Sequence, residues 1–252
     1  MKIESNKNAK VKRWKKLHTK KGRKETGRFM LEGWHLIEEA LAASVSIVEL
    51  IVAEGVKLPD HENIRDLPQY EVPRSIMNVI TETETPQGIA AVCEPIVVDA
   101  ENVPLKGGFL FVDAVQDPGN VGTLIRTADA AGLTAVVLGE GCADLYNGKV
   151  IRATQGSLFH LPVFGGDLRE WTSRFQAAGI PVYGSALTNA VSFVEVAQTA
   201  DFALIVGNEG SGVNPKLLEA ADQNLYVPIT GKAESLNVSV AAAILMYRLK
   251  HG

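Results

Sequence analysis

FLFVDAVQDPGNVGTLIRTADAAGLTAVVLGE, residues Phe109–Glu140, is the stretch whose reading decides the fold. FLFVDAV and AVVLGE are short, nearly continuous apolar runs, as expected of strands buried on both faces. Between them Leu124, Ile125 and Ala128 stand at helical spacing, and Gly132 closes the segment. Strand, helix, strand in so short a space predicts a parallel crossover unit. The same alternation continues through HLPVFG, LREWTSRFQAAG, PVYGSAL, DFALIVGNE, PKLLEAAD and NLYVPIT to a closing helix over Leu236 to Lys250. The expected class is α/β, with a parallel sheet covered on both sides and ligands gathering where its strands end.

Upstream the pattern is different. FMLEGWHLIEEALAA carries Leu36, Ile37, Ala40 and Leu41 at helical spacing, and VELIVAEG reads as a strand. A short helix near Ser75 to Ile80 and a strand around IAAVCEPI complete a small α/β unit. PIVVDAENVPLKGG, with two prolines and a Gly-Gly, reads as a connection. The expected division is a first domain over 1–97, a linker over 98–108 and a second domain over 109–252.

The chain has 252 residues, 46% of them apolar and 21% charged, the balance of a globular protein of one or two domains. Its longest mainly apolar run, Val238–Tyr247, is too short for a membrane span. The basic N-terminus has no apolar stretch behind it, unlike a secretory signal. Two cysteines, Cys93 and Cys142, predict no disulfide framework, and a cytoplasmic, reducing setting is expected. The net charge of −4 conceals a strong asymmetry. Residues 1–28 hold twelve Lys and Arg against Glu4 and Glu25, a segment of +10 on a remainder of −14. Such an arm, with Trp14 inside it, is expected to lie along a nucleic-acid backbone by neutralising phosphates; the alternative is a solvated tail.

Three loops follow strands of the second domain. In the first, Pro118, Gly119 and Gly122 are expected to form a tight turn containing Asn120, with Arg126 on the helix that follows. It is no dinucleotide fingerprint, because G-x-G-x-x-G is absent; without a ligand Arg126 would simply be a surface cation. LIVGNEGSGVNP, Leu204–Pro215, has glycines at 207, 210 and 212 that let backbone approach a ligand closely. It lacks the Gly-Lys-Ser/Thr of a phosphate loop, so an adenosine without phosphate suits it better, and Glu209 suits a sulfonium. The third, VPITGKAESLNVSVAAAILMYRL, places Ser235 and Asn237 near a helix start, where capping accounts for one of the two. The five histidines show no metal spacing with the cysteines, and no G-x-S-x-G elbow is present.

Together DPGNVGTLIRTADAAG, LIVGNEGSGVNP and VPITGKAESLNVSVAAA resemble, in order, the three motifs of the SpoU (TrmH-like) RNA ribose 2′-O-methyltransferases of the SPOUT class. The basic segment followed by FMLEGWHLIEEAL resembles the small RNA-binding domain that precedes the catalytic domain in many members. The resemblance implies S-adenosyl-L-methionine as methyl donor, a ribose 2′-hydroxyl of ribosomal or transfer RNA as acceptor, a homodimer and a C-terminal trefoil knot. By matching motifs it implies that Asn120, Arg126, Glu209, Ser235 and Asn237 form the catalytic group, and that backbone at Gly207, Ile229 and Leu236 holds the methyl donor. The tail MYRLKHG departs from relatives that carry an acidic residue and an Arg-Gln pair there. A non-catalytic RNA- or ribosome-binding protein that keeps the fold, and a nucleotide-dependent oxidoreductase, are the rival readings.

Overall fold

A computed structural model describes residues 1–252. The chain forms two compact units, Met1–Val97 with Asp144–Phe159, and Val98–Ala143 with His160–Gly252.

The first unit opens with two short helices, α1 (Ala9–Lys16) and α2 (Lys20–Thr26), capped by Asn8 and Thr19. The basic segment is therefore neither an extended arm nor a solvated tail. Val11, Trp14 and Leu17 recur at helical spacing and are buried, and the Trp14 indole donates to Glu49 at 2.7 Å. Next come β1 (Phe29–Glu32), α3 (Trp34–Ala42), β2 (Ile47–Ala53), β3 (Gln69–Val72), α4 (Arg74–Ile80) and β4 (Ile89–Cys93). The sheet order is β1-β4-β2-β3, with β4 antiparallel to β1 and β2, and β3 parallel to β2. Residues 29–32, which open the helical-looking FMLEGWHLIEEALAA, are strand, because Gly33 at φ 91° turns the chain before α3 begins. An L side chain at Gly33 would be strained.

In the second unit, β5 (Gly108–Val112) leads to α5 (Pro118–Ala130) and β6 (Ala135–Leu138). The chain next contributes α6 (Gly148–Thr154), which belongs to the first unit. A contiguous domain over 109–252 does not describe this course. The reason lies in specific partners within the first unit: Asp144 accepts from buried Arg23 at 2.5 Å, Tyr146 packs its ring 4.5 Å from Phe29, and Arg152 lies between Glu32 and Glu82 at 3.5 and 3.6 Å. Residues 98–108 are likewise not a free connection, since Val98, Ala100, Val103 and Leu105 pack on the second unit's core.

The chain returns to the second unit through β7 (Val163–Gly165), α7 (Leu168–Ala177), β8 (Val182–Ser185) and β9 (Val191–Ser192), then β10 (Phe202–Val206), α8 (Pro215–Ala220), β11 (Gln223–Tyr226) and α9 (Val238–His251). All pairings are parallel, in the order β7-β6-β5-β10-β8-β11-β9. Phe109, Phe111, Trp171 and Phe175 form the aromatic heart of the core on one face, and α5 packs with α9. From β5 the chain steps outward to β6 and β7, then crosses to build the other half of the sheet. The order thus reverses between β5 and β10, where sheets of this kind open a crevice for ligands.

Candidate active site

Val112 and Val206 pair in register at the ends of β5 and β10, so the loops leaving these strands start side by side. Ala114 takes a left-handed conformation (φ 52°), unfavourable for a residue with a Cβ, and its carbonyl accepts from Asn208 Nδ2 at 2.9 Å. Asp113 accepts from the Asn214 backbone N–H at 2.7 Å. The first and second loops are thereby tied together at both ends of the glycine-rich segment.

The first loop turns into helix earlier than its glycines suggest. Pro118 occupies the first helical turn and Asp117 caps it by accepting from Asn120 N–H at 2.9 Å, so Asn120 stands in the helix and not in a turn before it. From there its side chain reaches both other loops. Asn120 Nδ2 donates to Glu209 Oε1 at 2.9 Å, and Asn120 Oδ1 accepts from Asn237 Nδ2 at 3.0 Å. A carboxylate can only accept, which forces the amide nitrogen of Asn120 toward Glu209 and leaves its oxygen for Asn237. Asn237 also caps α9 through Ser239 N–H, and Ser239 Oγ donates to the Asn120 carbonyl. Capping therefore accounts for Asn237 without using up its amide nitrogen, whereas Ser235 caps nothing.

Burial pushes the Glu209 carboxyl up, but Asn120 and the backbone N–H groups of Glu209, Asp117 and Gln116 outweigh it, and the group sits below the usual carboxylate range. Glu209 is an anion at neutral pH.

Beside this cluster lies a cavity of about 580 Å³ at the carboxyl ends of β10, β8 and β11. Gly207, Glu209, Ile229, Ser235, Leu236 and Asn237 all line it. Its walls carry two carboxylates, Glu209 and Glu234, and no lysine or arginine. Size and charge fit a cationic, phosphate-free adenosine compound; a pyrophosphate would find no cationic side chain to pair with and two carboxylates in the wall. Gly207 is needed for a reason other than ligand space: a Cβ there would run into the backbone of Gly212 and Val213. The glycine lets the loop close on itself, between Asn208 and Gly212, which exchange two backbone hydrogen bonds.

Arg126 is the one expected catalytic residue that the chain does not bring into this cluster. Six residues beyond Asn120 it points about 240° round α5, exposed and without a hydrogen bond or ion pair. Sequence reasoning also missed Ser185–Thr188, which line the cavity at and beyond the end of β8, and Asn208, whose Oδ1 accepts from Gly210 and Ser211. PVYGSAL reads as a strand, and the loop past a strand's carboxyl end was the available signal.

A profile of the SpoU rRNA Methylase family matches residues 108–247, more than half of the chain. The chain belongs to the SpoU rRNA methylase family. The MRM3-like substrate binding domain matches residues 8–91. Among relatives of this SpoU protein, the 23S rRNA (guanosine(2553)-2′-O)-methyltransferase RlmP of Bacillus subtilis is 52% identical over 248 residues, covering 98% of each chain. A crystal structure of an AdoMet-bound rRNA methyltransferase from Sinorhizobium meliloti superposes with TM-score 0.89 at 29% identity, covering 99% of this chain and 97% of that one. The SpoU methyltransferase AviRb of Streptomyces viridochromogenes, in complex with the cofactor AdoMet, gives 0.85 at 26% identity over 96% and 97%. No helix is long and apolar enough to cross a membrane.

Proposed function

We propose that this protein transfers the methyl group of S-adenosylmethionine to a ribose 2′-hydroxyl of ribosomal RNA, acting in the cytoplasm. The observation that carries this reading is the convergence of Asn120, Glu209 and Asn237, from three separate loops, on one side of a cation-free cavity. Bound there, S-adenosylmethionine supplies an electrophilic methyl on a sulfonium. Backbone at Gly207, Ile229 and Leu236 would hold it, and the carboxylates of Glu209 and Glu234 match its positive charge.

The chain's own residues then act on the acceptor. Asn120, locked between Glu209 and Asn237, fixes the wall against which the ribose is set, and Ser235 supplies a free hydroxyl at the cavity edge. Arg126 is assigned to stabilise the charge that develops on the 2′-oxygen, as a fixed guanidinium does well; at a pKa above ~12 it is a poor proton acceptor. Since Arg126 projects away from its own chain's cavity, we place it at the surface of a homodimer, serving a site completed by a second copy. Exposed Val240 and Tyr247 on α9, which packs beside α5, support a partner there. The reading includes a trefoil knot in the C-terminal segment, on the ground of family membership.

The relative named for guanosine 2553 makes the corresponding position of 23S rRNA the first to examine. Ribosomal RNA from a strain lacking this gene, incubated with the protein and S-adenosylmethionine, is expected to gain one 2′-O-methyl group. Methylation of a base, or no transfer to any ribosomal RNA, would overturn the proposal.

A further inference from the structure

The fold sorts the cations of residues 1–28 into two sets. Lys2, Lys10, Lys21, Arg23 and Arg28 are committed to ion pairs with Glu54, Glu49, Glu25, Asp144 and Glu94 inside the first unit. Lys7 just before α1, Lys12, Arg13, Lys15 and Lys16 on α1, and Lys20 and Lys24 on α2, are exposed and have no acidic partner. At about 100° per residue, the four on α1 centre on the side opposite Val11 and Trp14, and Lys20 and Lys24 on α2 each stand about 160° from buried Gly22. Gly22 lets the two helices meet closely, since a Cβ there would strike the Lys16 carbonyl. Six of the free cations therefore stand on one helical hairpin, whose only acidic residue, Glu25, pairs with Lys21.

This surface has no exposed aromatic ring on which to stack a base. Trp14 is 1% exposed and bonded to Glu49, Tyr70 is buried, and Trp34 packs on His61; no aromatic of the unit is among its exposed large apolar side chains. Sequence-tolerant binding of single strands relies on aromatic stacking worth about 1–3 kcal/mol per base. A patch of charge alone favours the target with the densest and most rigidly spaced phosphates, which is a duplex. Resting on the reading that RNA is the acceptor, we propose that the α1–α2 hairpin grips the phosphate backbone of a helical RNA segment, and does not read an unpaired one.

The test measures binding, so it stands even if no methyl transfer is found. Full-length protein is titrated with an RNA stem-loop and with an unpaired RNA of equal length across a salt series. The stem-loop is expected to bind about tenfold tighter or better, with affinity falling steeply with salt. Each lost phosphate contact removes about 0.9 from the logarithmic salt slope, so the K12E/R13E/K16E variant is expected to flatten it by about two or more. The neutral K12Q/R13Q/K16Q variant should flatten it too, and guards against a charge-reversed protein that fails to fold. Unchanged unfolding temperature and S-adenosylmethionine affinity identify intact variants. Equal affinity for the unpaired strand, or an unchanged slope in an intact variant, would overturn the proposal.

Discussion

Asn237 Nδ2 donates to Asn120 Oδ1 at 3.0 Å, joining residues 117 positions apart. Because the other end of Asn120 is committed to Glu209, this one bond closes a chain of polar contacts through all three loops. Replacing Asn120 with Ala breaks both links and leaves Asn237 and Glu209 each short of a partner. Loss of turnover on the order of 10²-fold is expected, the scale for removing one positioned polar group, with the fold retained. Steady-state kinetics beside a thermal melt checks this; turnover within a few-fold of the parent would mean that the bridge is ornamental.

Glu209 carries a pH dependence of definite sign. Its carboxyl is held below the ordinary range in the folded protein, so its contribution to stability is complete above the unfolded value of about 4.3. That contribution is lost as pH falls through the lower folded value. In Asn120→Ala the lowering hydrogen bond is gone, and Glu209 should titrate at higher pH than in the parent. A carbon-detected NMR titration of the Glu209 carboxyl reads this directly, and an identical midpoint in both proteins would contradict it.

For Arg126→Lys, the charge remains but the planar fork does not, and a drop of about 10²-fold or more in turnover is expected with S-adenosylmethionine affinity preserved. If Arg126 serves the partner's site, mixing Arg126→Lys with Glu209→Ala, itself expected to be inactive through loss of the Asn120 link, should regenerate activity, because one of the two sites in the mixed dimer then holds both intact residues. Failure of the mixture, given demonstrated subunit exchange, would place Arg126 in its own chain's chemistry.

Gly207→Val does not separate ligand space from folding. Its side chain would collide with the Gly212 and Val213 backbone, so loop geometry and cofactor binding should fail together. Gly231→Ala in the third loop is the contrasting change, since a Cβ there meets nothing within 4 Å. Calorimetry should find S-adenosylmethionine binding abolished in the first and retained in the second.

In the first unit, Trp14→Ala should destabilise by about 3–5 kcal/mol, the range for emptying a large aromatic site. Arg23→Ala should remove about 3 kcal/mol by stranding Asp144, with the 21% exposure of the carboxylate limiting the loss. Deleting residues 1–28 would remove both and unfold the unit, so truncation cannot report on RNA binding. Denaturant unfolding of the two point variants checks these values, and a change under about 0.5 kcal/mol in either would show a surface-like site.

The alternation of apolar strands and helical spacing from Phe109 onward was enough for a parallel α/β domain, because periodicity and burial are local properties of the chain. Motif order placed Asn120, Glu209, Ser235 and Asn237 in one group, and the absence of a cation from the second loop already argued against phosphate. Other features depended on contacts distant in sequence. Whether Lys10 and Arg23 meet phosphate or carboxylate was decided by Glu49 and Asp144, 39 and 121 residues away. Residues 144–159 follow the second domain's strands in sequence, but their partners Arg23, Phe29 and Glu32 hold them in the first unit. Gly207 looked like room for a ligand, and only the folded loop revealed that the space was taken by its own backbone. Arg126 sits correctly in its motif, yet the direction of its side chain depends on helical phase from Pro118, which one capping aspartate sets. Spacing along a chain determines which face a residue occupies; what stands opposite that face is settled only when remote segments pack against it.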